Sequence, residues 1–478
     1  MRGYKKLSSF AAVSIIGFLS IYFVSTFRLL AVSNADGSIS VYFNHSEDRS
    51  YKDPYRHFVR KGDNLEAILL HEILKAKDSI EVAVQELRLP TVSRALIRKA
   101  QEGVRVRVIL ENQYDKTIPQ ELKELQNDPK KKFALNRIRD YITLIDRNHD
   151  SYLEADELAH WDAIYMLRQN QVPLKDDTAD GSKGSGLMHH KFVVIDGHEL
   201  VVTSANFTLS DVHGDLSKPD SRGNENAMLV IHSAQLANYF EQEFNIMWGR
   251  DGAYGRIPSR FGVNKPYRGY HRVDFANGSQ VVVQFSPTSR RKPWALSSSG
   301  LIAKILSMAN SSIQAALFGF SDQKIVDEMH QLYEQKDIRI EALVEREFAF
   351  RSYSELLDML GLRMLDATCK YEANNHPWPD PIQSVGTVHL EKGDLLHHKY
   401  AVVDGKIVIF GSHNWTDSAN YQNDETLTVI ADPIIAKAFV QEFQRLRKHA
   451  SWGAPSYVLQ QIQQKEMDCQ DRIDRPTP

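Results

Sequence analysis

The sequence predicts an α/β protein of two pseudo-symmetric lobes, each a mixed β-sheet flanked by helices, with a helical insertion in the first lobe. Three observations carry this expectation. A ten-residue phrase occurs twice, as MHHKFVVIDG at 188–197 and as LHHKYAVVDG at 396–405. The same succession of strand-like and helix-like segments precedes each copy. One acidic stretch, DRNHDSYLEADE at 146–157, has no counterpart in the second half.

The repeat holds its register. His397 against His189, Asp404 against Asp196, Ser412 against Ser204 and Asn414 against Asn206 all give an offset of 208. A length of 478 residues suits two lobes of ordinary size. With 42% hydrophobic and 25% charged residues the composition is that of a folded protein. A net charge of −3 argues against a protein that coats nucleic acid by bulk electrostatics.

The N-terminus has its own character. Arg2, Lys5 and Lys6 precede the apolar run Phe10–Val24, and Ser33, Asn34 and Ala35 supply a small-residue exit. A positive start, an apolar centre and small residues describe an export signal, so residues 1–35 are expected to be a signal peptide or a retained signal anchor. The protein is then exported (secreted or periplasmic) or anchored in a membrane. No other run approaches a membrane span. Cys369 and Cys469 could form one bridge in an exported protein or remain free thiols.

The elements follow in order. GSISVYF (Gly37–Phe43) parallels GSQVVVQF (Gly278–Phe285), both strands by alternation and β-branched content. Leu65–Val84 parallels Leu301–Phe318, each a helix leading through Ala-x-x-Ser-Ile into a strand. EGVRVRVILE (Glu102–Glu111) and KDIRIEALVE (Lys336–Glu345) are further buried strands. This rhythm is that of an α/β lobe. In each signature a hairpin turns at Asp-Gly, which puts His and Lys on one face of a central strand, with Ser and Asn ending its neighbour. Ile80 pairs with Ile313 at an offset of 233, so 25 net extra residues lie in the first half before the signature. The expected domains are 36–255 and 279–455, with an insertion at 129–170, a linker at 256–278 and a tail at 456–478.

The acidic stretch within the insertion fits a calcium loop of the EF-hand pattern. Asp146, Asn148 and Asp150 occupy positions 1, 3 and 5, the Tyr152 carbonyl position 7 and Glu157 position 12. Residues 133–145 and 155–167 read as the entering and leaving helices. Oxygen donors at alternate positions suit a hard cation, so Ca2+ is the expected ion. Position 6 is Ser151 rather than Gly, which imposes a steric cost on the turn.

The doubled pattern His-x-Lys-x4-Asp, followed by Ser-x-Asn, resembles the phospholipase D superfamily, and the two lobes are accordingly expected to be phospholipase D-like. The second copy matches the Gly-Ser-x-Asn end fully; the first has Thr203 in place of Gly. The resemblance implies one cleft shared by His189, Lys191, Asp196, His397, Lys399 and Asp404. One His attacks phosphorus and forms a phosphohistidine, while the other protonates the leaving alcohol and then activates water. By resemblance His189 is the nucleophile and His397 the acid. Lys191 and Lys399, with Asn206 and Asn414, would hold the non-bridging oxygens; Ser204 and Ser412 would donate to them or support the His residues. The partner that orients each imidazole resembles a downstream carboxylate, Glu225 or Glu425, in matching contexts. Asp196 and Asp404, at the turns, read as structural: an Asx-type turn or an ion pair. No catalytic metal is required.

The superfamily covers several substrates, and fold does not choose among them. An exported enzyme meets phospholipid directly, so a phospholipase D acting at a membrane surface is the first expectation, with no protein partner. A nuclease is the alternative, because SRRKPW (Ser289–Trp294) and KPYRGYHR (Lys265–Arg272) mix cations with aromatics as a single-strand channel would. A cardiolipin-synthase-like transferase is third.

Overall fold

The computed structural model describes residues 31–126, 132–252 and 255–473. The expected signal segment therefore lies outside the described residues, apart from the strand Val32–Ser33 and the residues up to Ala35. Among the described residues no helix is long and apolar enough to cross a membrane.

Two mixed sheets repeat one strand order. The first runs Val32–Ser33, Ile39–Phe43, Ala227–His232, Glu199–Thr203, Lys191–Ile195, Ser79–Val84, Arg105–Leu110, Leu174–Asp176. The second runs Tyr270–Asp274, Gln280–Ser286, Glu425–Ala431, Ile407–Gly411, Lys399–Val403, Ser312–Leu317, Arg339–Val344, Val385–Val388, and adds Ala450–Trp452 at its edge. In each, the three strands that helices connect are parallel and the rest pair antiparallel. The α/β class and the two-lobe repeat expected from sequence are both present. Tyr270–Asp274, placed in the linker by sequence, is instead the second sheet's edge strand.

Capping repeats as well. Asn64 accepts from the Ala67 amide to start helix Leu65–Lys75, and Ser297 accepts from Gly300 to start Ser298–Leu306. Such caps satisfy amides that a helix start leaves without partners. The helices Ala234–Trp248 and Pro433–Arg447 follow the last central strand of each lobe and are capped by Ser233 and Asp432. Each touches strands of both sheets, so they lie between the lobes. Phe43 packs edge-on against Phe439 at 5.1 Å and Phe240 against Phe285 at 5.0 Å, each ring pair joining one lobe to the other. A single apolar cluster runs through both inner sheet faces. The lobes are thus fixed against each other by core packing, which is what a shared cleft needs.

Both signature hairpins turn as expected. Asp196 and Gly197 have φ of 49° and 66°, Asp404 and Gly405 φ of 51° and 62°. Two successive positive φ values match the twist of the flanking strands, and Asp-Gly tolerates them. The Thr203 departure is also accounted for. Gly411 lets its backbone approach strand Glu425–Ala431 so closely that a Cβ would stand 2.2 Å from the Thr426 carbonyl. In the first lobe the Thr203 hydroxyl instead donates to the Ala227 carbonyl at 2.7 Å.

The insertion carries helices Lys132–Ile145, Ala155–Trp161 and Ala163–Gln169, and helix Ile118–Gln126 precedes it. The single leaving helix expected over 155–167 is two helices. Asp162 interrupts it because its carboxylate caps a new start, accepting from Ile164 and Tyr165.

Candidate active site

Strands Lys191–Ile195 and Lys399–Val403 begin directly after the motif histidines, and alternation puts His189 with Lys191, and His397 with Lys399, on one face. All four side chains are buried. The lobes meet at these residues: the His189 amide donates to the Asp424 carbonyl at 2.9 Å, and the Glu225 amide donates to Leu395 at 2.8 Å.

Each imidazole is oriented from the opposite lobe. His189 Nδ1 lies 2.7 Å from Glu425 Oε2, which also accepts from Ser412 Oγ at 2.7 Å, while Asn423 Nδ2 donates to Oε1 at 3.1 Å. His397 Nδ1 lies 3.0 Å from Asn226 Oδ1 and 3.5 Å from Asp211 Oδ1. Ser204 Oγ donates to the same Asn226 oxygen at 2.7 Å. Asp211 is held by the Asn206 amide at 2.8 Å and by Asn224 Nδ2 at 2.6 Å. Ser204 and Ser412 therefore hold the groups that orient the imidazoles.

Glu225 orients neither motif histidine and stands instead 3.8 Å from His45 Nδ1. It forms a buried ion pair with Arg445, which also binds Glu442, and Glu442 in turn meets His398 Nε2 at 3.1 Å. The first lobe repeats this arrangement: Glu243 meets His190 at 3.3 Å and pairs with Lys265 and Arg268, and Lys265 reaches Asp424 at 2.6 Å. Asp424 is thus the counterpart of Glu225, and Asn226 that of Glu425. The sequence held the signal. Aligning Val230-Ile231 with Val429-Ile430 without a gap puts Asn226, not Glu225, under Glu425. Asn226 and Asp211 are the site residues that sequence reading missed. Asp211 sits in a short helix, Leu209–Val212, with no motif to mark it.

The lysines point into the same space. Lys191 Nζ donates to the His189 carbonyl at 3.0 Å and to Gln85 Oε1 at 3.3 Å. Lys399 Nζ donates to the His397 carbonyl at 2.6 Å and stands 4.7 Å from the centre of the Phe318 ring. Burial brings Lys191 down to about 8, and it takes Lys399 well below its ordinary value with help from the nearby Lys191 ammonium. Burial also lowers His189 to about 4. It lowers His397 well below 6.5, and the charges of Lys399, Lys191 and His189 add to the effect. The two lysines depress both imidazoles and Lys191 depresses Lys399, so the four basic groups stand close together in a buried, low-dielectric setting. Burial alone would raise Glu425, but His189 and the cations around it hold the carboxyl below its ordinary value. Asn206 and Asn414 each leave a buried side-chain oxygen without a protein partner.

The turn aspartates are elsewhere. Asp196 accepts from the amides of Lys77, Asp78 and Ser79, and Asp404 from those of Asn310, Ser311 and Ser312. Both lie at the far end of the strand from His and Lys, so the motif Asp locks the Ala-x-x-Ser-Ile junction and takes no place in the cleft. Of the basic segments, Lys265 and Arg268 are spent in the interlobe ion pairs, and Arg290 pairs with Asp417. The expected single-strand channel loses Lys265 and Arg268, while the Arg290–Asp417 pair stays exposed.

In the acidic loop, Asp146 accepts from the Asp150 and Ser151 amides, and Asn148 and Asp150 cap the following turns. Glu157 faces back onto the amides of Arg147 and Asn148. Ser151, at position 6, has φ 71°. The one group of three His, Cys, Asp or Glu among the described residues whose donor atoms lie within 4.8 Å of one another is elsewhere, at Glu225, His398 and Glu442. Arg445 already neutralises that group.

Comparison with known proteins agrees with this geometry. The family model described as "Cardiolipin synthase, PLD-like domain" matches residues 69–248 and 302–447. The mitochondrial cardiolipin hydrolase of Xenopus laevis is 27% identical over 150 residues, 31% of this chain and 60% of that protein. The one from Mus musculus is 28% identical over 156 residues, 32% of this chain and 60% of that protein. The chain therefore spans about 60% of the length of these curated relatives. A crystal structure of phosphatidylserine synthase from Haemophilus influenzae superposes with a TM-score of 0.51 at 14% identity, covering 86% of this chain and 92% of that one. That likeness establishes the two-lobe fold.

Proposed function

Because the chain belongs to the phospholipase D superfamily, we propose that it is a phosphodiesterase whose two motifs form one active site, and that its substrate is a phospholipid. The observation that carries this reading is the crossed orientation of the histidines, each held by the lobe opposite its own. Neither half could then work alone. His189 Nε2 supplies the lone pair that forms the P–N bond. The bond from phosphorus to the leaving oxygen breaks with its electron pair staying on oxygen. His397, protonated once the phosphodiester anion offsets the surrounding cations, gives that oxygen its proton from Nε2. Water then attacks the phosphohistidine, losing a proton to His397. Lys191 and Lys399 neutralise the non-bridging oxygens, with the side-chain amides of Asn206 and Asn414 beside them.

The relatives named cardiolipin hydrolase support a phospholipid diester, with cardiolipin a candidate to test beside a common membrane lipid such as phosphatidylcholine. Export, expected from residues 1–35, is supported by the Cys369–Cys469 bridge, since structural disulfides persist in oxidising compartments. The test uses protein in EDTA offered cardiolipin vesicles, phosphatidylcholine vesicles and single-stranded DNA, with His397→Ala as the blank. Release of a lipid alcohol without DNA cleavage supports the reading; DNA cleavage alone moves the protein to the nuclease alternative.

We also infer that Asp146–Glu157 takes Ca2+. The helix-loop-helix, the left-handed Ser151 at the turn and the amides gathered on Asp146 support it. Calcium should raise the melting temperature of the wild-type protein and leave Asp146→Ala, Glu157→Gln unmoved; equal shifts in both would sink the inference.

A further inference from the structure

The two halves of the cleft share a backbone and differ in lining. Gln85 and Phe318 hold equivalent seats, since each donates its amide to the carbonyl of the second motif histidine, Gln85 to His190 at 3.1 Å and Phe318 to His398 at 2.8 Å. The next residues keep the equivalence: the Glu86 carbonyl accepts from Phe207 at 3.0 Å and the Gly319 carbonyl from Trp415 at 3.1 Å. The side chains diverge. Gln85 offers Lys191 a hydrogen-bond acceptor. Phe318 offers none. Its ring instead faces the Lys399 ammonium at 4.7 Å, meets the His397 ring at 4.9 Å in a T-shaped contact and is backed by Phe348 at 5.0 Å.

This difference has chemical consequences. A ring face attracts an ammonium without using its N–H donors. Among the described residues Lys399 donates one hydrogen bond, to the His397 carbonyl, whereas Lys191 donates two. Lys399 therefore keeps more donors for phosphate oxygens. The same ring meets the His397 imidazole beside its Nδ1 anchor on Asn226, which leaves the ring one plane in which to present Nε2.

We propose that Phe318 is a positioning residue: its ring, set between Lys399 and His397, fixes the second-lobe imidazole as the acid that protonates the leaving alcohol. The inference rests on the roles given above to the two histidines. An acid matters most when the departing oxygen is a poor leaving group, and it matters little for a nitrophenolate, which leaves without a proton. Small displacements of a catalytic group are costly in rate.

The experiment uses full-length protein with phosphatidylcholine and phosphatidyl-p-nitrophenol in otherwise identical vesicles, so that the leaving group alone changes. Because His397 also acts as base in the shared hydrolysis step, release of the leaving group is followed in a single turnover. Phe318→Leu should lose roughly tenfold to a hundredfold in that rate on phosphatidylcholine and stay within about threefold on the nitrophenyl lipid. Phe318→Tyr, which keeps the ring, should restore the phosphatidylcholine rate. Equal losses on both lipids, no loss on either, or failure of the Tyr variant to rescue would overturn the proposal. His397→Ala separates the two levels. If it too loses both substrates equally, the acid assignment itself fails; if it discriminates between them while Phe318→Leu does not, the assignment stands and the role of Phe318 falls.

Discussion

Glu425, in the second lobe, accepts the Nδ1 hydrogen of His189, in the first, at 2.7 Å. The carboxylate fixes the tautomer that leaves Nε2 free and stabilises the positive charge that grows on the ring during attack. Glu425→Gln should therefore lower kcat by about a hundredfold or more while vesicle binding holds. A variant with near wild-type kcat in steady-state assays would remove the carboxylate from the mechanism.

Glu225 and Asn226 are neighbours with opposite duties. Glu225→Gln leaves Arg445 short of a charge in the core and should cost about 3 kcal/mol, by the usual consequence of breaking a buried pair, with the activity of the folded fraction little changed. Asn226→Leu should do the reverse, because it takes the acceptor from His397 and Ser204. Denaturant melts and kcat, measured on both variants, check the contrast.

The pH dependence of activity should have an alkaline limb, because burial holds Lys191 at about 8 and takes Lys399 well below its ordinary value, and each loses the charge that neutralises phosphate as pH rises. Stability has an acid-side term. Burial holds His413 at about 4 in the fold, against about 6.5 when unfolded, so the unfolded chain takes up the proton first. This contribution is complete above pH 6.5 and is lost as pH falls through about 4. His413→Leu should flatten the decline over that window in urea melts; an unchanged slope would count against it.

Asp404→Ala should destabilise without disabling. Its carboxylate collects three amides at the Asn310–Ser312 junction, and losing them should cost about 1–3 kcal/mol. Turnover per folded molecule should stay near wild type. A loss of kcat comparable to that of Lys399→Ala would return the motif Asp to the cleft.

The Cys369–Cys469 bridge closes a loop of 100 residues and ties helix Ser456–Ile473 to the second lobe. Reduction, or Cys369→Ser, should lower stability by about 2–4 kcal/mol, because the open chain gains entropy when unfolded. Thermal melts with and without reductant measure it; identical melts would mean that the helix docks without help.

Much of this molecule was legible in the sequence. The repeated His-x-Lys phrase gave two lobes because period-2 alternation forces His and Lys to one strand face wherever that strand lies. The Asp-Gly pairs gave the hairpins for an equally local reason, the left-handed backbone they tolerate. Helix Leu65–Lys75 and its counterpart Ser298–Leu306 could be read from spacing alone. Cross-lobe partners could not be read this way. That Glu425 serves His189, that Asn226 and Asp211 serve His397, and that Arg445 claims Glu225 depend on how two separately patterned sheets pack through helices Ala234–Trp248 and Pro433–Arg447. Local patterning sets which face a side chain occupies. Only close packing of the lobes determines which group of the other lobe it meets there.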